Sequence, residues 1–123
     1  MKIDLLVEWY DGELQQVMEE GGRYFYAICV EADFSKPLQD RVYFVISILA
    51  QEKQMIERFL ADADMDGLDR LLRDELYGRR GAIFLGDPNA WKVESADFSI
   101  EPAPYLKFFA FPVIDVLVAR ICG

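Results

Sequence analysis

Three carboxylates at alternate positions before a glycine, in Asp62-Ala63-Asp64-Met65-Asp66-Gly67, match the opening of a helix–loop–helix calcium site. Asp62, Asp64 and Asp66 would be the ligands. The match then fails where the ion needs it: the eighth position, normally apolar, is Asp69, and the twelfth, normally a bidentate glutamate, is the cation Arg73. No metal site and no cofactor are expected. The run reads as an acidic turn in which Asp64 or Asp66 caps the following helix and complements its dipole.

Other reactive groupings are sparse. Gly78-Arg79-Arg80-Gly81 could cradle a phosphate between flexible glycines, although two cations at a helix C-terminus are better read as partners of its dipole. Carboxylate pairs such as Asp11 with Glu13, or Glu31 with Asp33, could support acid/base work or hold magnesium, which gives a carboxylate- or metal-dependent small enzyme as the third reading of function. The chain has no histidine, so Ser-His-Asp and Cys-His hydrolases and His-ligated metals are excluded. The expectation is a protein that is not an enzyme.

Charge is the stronger signal. The chain carries a net charge of −9 in 123 residues, so it repels nucleic-acid phosphates, and direct nucleic-acid binding is not expected. Residues 1–40 hold nine acids against Lys2, Arg23 and Lys36, a net of −6. Asp11, Glu13, Glu19 and Glu20, with Glu31 and Asp33 beside them, are therefore the candidate partner-binding residues. Their complement is a protein with a basic surface, such as a groove that binds nucleic acid, and the mechanism would be occlusion.

A second candidate surface is apolar. Tyr105, Phe108, Phe109 and Phe111 crowd one short segment, where three phenylalanines in four positions cannot all face one way on a strand. Either the segment crosses the core or one side is a docking patch, which makes a homodimeric assembly domain the second reading.

The elements that position these residues follow from periodicity. Ile3, Leu5, Val7 and Trp9 fall on one face of a strand that Asp11-Gly12 turns; Glu13 to Glu20 returns with poor alternation; Gly21-Gly22 turns again. Arg23 to Glu31 and Arg41 to Ile46 are apolar on both faces and read as buried strands, the third central. Ile48, Met55, Ile56, Phe59 and Leu60 then share a helical face with Ser47 as N-cap. A second helix points Leu68, Leu71, Leu72 and Leu76 inward, spaces Asp66 with Arg70 and Asp69 with Arg73 outward, and stops at Gly78.

A later hairpin is expected from Ala82 to Leu85 and Trp91 to Glu94 around Gly86-Asp87-Pro88-Asn89, and residues 113–121 fit either a strand or a helix. The fold class is thus α+β: an antiparallel β-meander of about four N-terminal strands plus a later hairpin, packed with two consecutive central helices. One domain spans residues 1–123. With 53% apolar residues the chain can bury a core, while no run reaches the ~18 apolar residues of a membrane span and the first residues read as a strand instead of a signal peptide. A cytoplasmic protein with Cys29 and Cys122 as reduced thiols is expected.

Leu5 to Leu14 (LLVEWYDGEL) and Gly22 to Ala27 (GRYFYA) resemble a group of uncharacterised small bacterial domains that open with a strand, a Tyr-Asp-Gly turn and a second aromatic strand. The resemblance covers about the first fifty residues, implies the meander and transfers no catalytic residue. In size and acidity alone the chain is similar to bacterial immunity proteins and anti-CRISPR inhibitors.

Overall fold

The computed structural model describes residues 1–9, 13–31 and 41–105, and only the backbone of residues 8, 9, 13, 14 and 31. Five strands form one antiparallel sheet in chain order: β1 (Lys2–Trp9), β2 (Glu13–Glu20), β3 (Arg23–Glu31), β4 (Val42–Ile48) and β5 (Ala82–Leu85). Two helices, α1 (Ala50–Ala61) and α2 (Met65–Leu71), intervene between β4 and β5, and a π-helical turn (Leu72–Leu76) prolongs α2. The α+β meander expected from periodicity is the architecture, with β3 at its centre.

Both faces of the sheet are covered, as the doubly apolar patterns of β3 and β4 require. Tyr26, Ile28, Phe44, Ile46 and Ile48 meet Ile56, Leu68, Leu72 and Leu76 of the helical layer. On the opposite face Phe25, Ala27, Tyr43 and Val45 meet Trp91 and the partly buried Val93, Ala96 and Phe98. Trp91 sits among rings, 5.0 Å from Tyr43 and 4.9 Å from Phe84 between centroids, and donates its indole N–H to the Leu85 carbonyl at 3.0 Å.

Several local expectations change in three dimensions. Register shifts along β1 place Ile3 with the Trp91 side and Leu5 and Val7 with the helical side, because an irregular pairing step reverses which face the following residues take. Only Ala82–Leu85 of the later hairpin is a strand. Residues 88–90 and 93–95 form 3₁₀ turns, Asp87 capping the first through the Asn89 amide, so the chain crosses the face of the sheet instead of extending it. It closes back through paired bonds between Gly81 and Ile100, 3.0 and 2.9 Å. Gly81 permits this approach, since a Cβ there would lie 2.4 Å from the Val45 carbonyl oxygen.

The poor alternation of β2 has a tertiary explanation. Gln15 and Gln16 are both buried, Gln15 on the helical side. There its carbonyl oxygen accepts from the Tyr26 hydroxyl and, at 3.4 Å, from the Tyr77 hydroxyl. The π turn makes the second contact possible. At the α-helical advance of ~100° per residue Tyr77 would lie ~140° round from Leu72, whereas the wider turn, closed by the Tyr77 amide on the Leu72 carbonyl at 2.8 Å, brings it back to the core. Burial pushes the Tyr77 phenol up to about 12.

Candidate functional site

The acidic side chains divide by what they touch. Glu52, in the first turn of α1, is nearly buried and accepts from the Leu49 amide at 2.8 Å, which caps the helix; Leu49, not Ser47, is the N-cap residue, and Ser47 and Ile48 belong to β4. Arg79 grips the same carboxylate with two N–H groups, 2.8 and 2.6 Å, and also reaches the Ser47 carbonyl at 3.3 Å. The Arg79 guanidinium holds the Glu52 carboxyl below its ordinary range, and Glu52 raises Arg79 in return. Arg80 pairs with Glu101 at 2.5 Å and donates to the Ser99 carbonyl. Both arginines of Gly78-Arg79-Arg80-Gly81 therefore have protein partners, and the phosphate cradle considered for them is not formed. They also lie beyond the helix, joining its end to β4 and to the Ile100 segment.

Glu19 and Glu20 flank the two-glycine turn, in which Gly21 and Gly22 have φ of 58° and 81°, the left-handed values of a tight hairpin turn. Glu19 accepts from the Gly22 amide at 2.9 Å and pairs with Lys2 at 3.2 Å, and these donors, the Gly22 amide foremost, lower its carboxyl. Glu20 accepts from the N-terminal ammonium of Met1 at 3.4 Å and from the Val93 amide at 3.1 Å, fastening the 3₁₀ segment to the sheet. Glu13 is at the other end of β2, about 23 Å away at ~3.3 Å per residue, near the β3 end that carries Glu31. The candidate set is thus split between the two ends of the sheet. The side chains of Glu13 and Glu31, and Asp11 and Asp33 entirely, lie outside the described residues.

Asp62 and Asp64 bracket the turn between the helices. Asp62 is the C-cap of α1, and Asp64 caps α2 by accepting from the Gly67 amide at 2.9 Å. Asp66 stands in the first turn of α2, where a negative charge meets the positive end of the dipole. The described residues contain no group of three or more Cys, Asp or Glu side chains arranged to hold a metal ion. Of the two i,i+4 pairs expected on α2, Asp69–Arg73 closes at 2.5 Å, and no ion pair joins Asp66 to Arg70 among the described residues.

Between α1 and α2 runs a groove of about 340 Å³, open to solvent, lined by Met55, Phe59 and Leu71 at its apolar part and by Asp64, Asp74, Glu75 and Arg70 around them. Gly67 lets the helices converge here: a Cβ would come 2.6 Å from the Phe59 ring. Asp74 and Glu75 make no ion pair among the described residues, and Met55 is 42% exposed.

No family model, curated protein or solved structure matches the chain. What its surface does must be read from its own geometry.

Tyr105 is half-buried and packs on Phe44, 5.5 Å between ring centroids, as part of the helix-side core. Phe108, Phe109, Phe111, residues 113–121 and Cys122 lie outside the described residues. No helix among the described residues is long and apolar enough to cross a membrane. The groove itself was not anticipated. Met55 shares a helical face with Ile56 and Phe59 in projection, yet it is exposed at the groove, and no spacing within α1 distinguishes it from its more buried neighbours.

Proposed function

We propose that this chain is a non-enzymatic acidic binding protein that covers a basic, nucleic-acid-binding surface of a partner protein, in the manner of immunity proteins and anti-CRISPR inhibitors. The observation that carries this reading is the contrast among its carboxylates. Glu19, Glu20 and Glu52 already have cations or amides of their own, whereas Asp74 and Glu75 stand beside an open groove and close no ion pair among the described residues, Glu75 acting on Arg79 only through space. Exposed charge of one sign steers a complementary partner and makes association salt-dependent. The helical flank supports the reading better than the β2–β3 turn does, and the end of the sheet where β2 begins at Glu13 and β3 ends at Glu31 is the rival face.

The test uses a basic partner captured from host extract and then purified. Its affinity is measured for the parent and for two variants, Asp74→Lys/Glu75→Lys and Asp11→Lys/Glu13→Lys, at low salt and at about 0.15 M, where the Debye length is about 8 Å. The helical-flank variant should lose at least about tenfold in affinity. Unchanged affinity in both variants at both salt concentrations would sink the proposal.

A further inference from the structure

We infer that the groove between α1 and α2 receives a basic amphipathic α-helix of the partner, with that helix's apolar side on Met55, Phe59 and Leu71 and its lysines or arginines over Asp64, Asp74 and Glu75. This inference rests on the acidic-binder reading and specifies its site and ligand class.

Three observations point to that occupant. The groove is bounded by α1, α2 and the π turn and is open to solvent, so it encloses a small molecule less fully than ligand pockets do. It can take side chains projecting at i, i+3 and i+4 from a helix laid across it. Its apolar lining includes Met55, a flexible and polarisable side chain exposed to solvent, and such methionines adapt to the irregular apolar face of an incoming helix. Finally, its polar lining is three carboxylates against the single cation Arg70, which leaves a net negative rim and selects a positively charged ligand.

Nucleic acid is excluded by the same rim, since phosphates would meet carboxylates. Asp64 serves twice, as the cap of α2 and as a rim charge. An Asp64→Asn substitution keeps a good cap residue and removes the charge, which separates the two roles.

The experiment uses the full chain and two fluorescent peptides of about four helical turns, made of the same leucines and lysines. One places leucine at helical spacing, and the other scrambles the order so that no apolar face forms. Anisotropy titrations should show the amphipathic peptide binding at least about tenfold tighter than the scrambled one. Asp74→Lys/Glu75→Lys should weaken that binding about tenfold, Asp64→Asn and Met55→Gln each by a smaller factor, with circular dichroism confirming that each variant is folded. On the unsubstituted protein, the Met55 methyl resonance should shift as the amphipathic peptide is added, and this readout needs no variant.

Equal affinity for both peptides, or a stationary Met55 methyl during saturable binding, would overturn the groove as a helix site and leave the acidic-binder reading standing. Failure of both peptides to bind at low salt would overturn both.

Discussion

The β2–β3 turn and the flank of α2 are both acidic, yet they use their acid in opposite ways. At the turn, Glu19 and Glu20 hold Lys2, the Gly22 amide, the chain's own ammonium and the Val93 amide. On the flank, Asp74 and Glu75 border a groove without an ion pair among the described residues. The same residue types thus hold the fold together in one place and border an open groove, without an ion pair among the described residues, in the other. A net charge of −9 cannot separate these cases, because it counts carboxylates and not their partners.

If the contrast is sound, removal of an engaged carboxylate should cost stability and reversal of a free one should not. The largest loss belongs to Glu52, whose carboxylate serves both Arg79 and the Leu49 amide. Glu52→Ala should destabilise by about 2–4 kcal/mol in chemical denaturation, since it leaves a half-buried guanidinium without its partner and α1 without its cap. A loss below about 0.5 kcal/mol would put Glu52 with the free carboxylates.

Acid titration sharpens the same point. Arg79 lowers the Glu52 carboxyl from its usual 4.5, so the folded state binds this proton more weakly than the unfolded state does. The stability this pair contributes is complete above 4.5 and disappears as pH falls through the folded value. Glu52→Gln should therefore flatten the acid limb of the stability–pH curve below 4.5, and a limb of unchanged slope would mean that other carboxylates dominate it.

Glu20→Ala comes next, at about 1–2 kcal/mol, because the Val93 amide and the Met1 ammonium lose an acceptor. Hydrogen exchange should locate that loss in the Val93–Ser95 turn rather than in the helices. Asp64→Ala should cost about 1 kcal/mol through the α2 cap, and Asp64→Asn much less.

The smallest effect is expected for Asp74→Lys/Glu75→Lys, within about 0.5 kcal/mol of the parent in stability. A large destabilisation there would erase the distinction between the two regions. So would a loss of partner binding in Glu20→Ala as great as in the flank variant.

The sequence by itself determined the elements whose signals are local. The two-faced apolar runs of β3 and β4, the paired glycines of the tight turn, the leucine ridge of Leu68, Leu72 and Leu76, and Asp64 before a helix each depend on residues a few positions apart, and each appears where the pattern puts it. The tertiary structure decided the rest. Gln15 is buried because its oxygen meets Tyr26 and Tyr77, 11 and 62 positions away, and Arg79 is engaged because Glu52 lies 27 positions before it. Ile3 changes face because pairing with β2 slips along β1, and Met55 stays exposed at the groove that α1 and α2 leave open between them. Periodicity along a chain reports which side chains share a face of their own element. Whether a buried polar group is satisfied, or a face is covered, depends on groups that only the folded chain brings near.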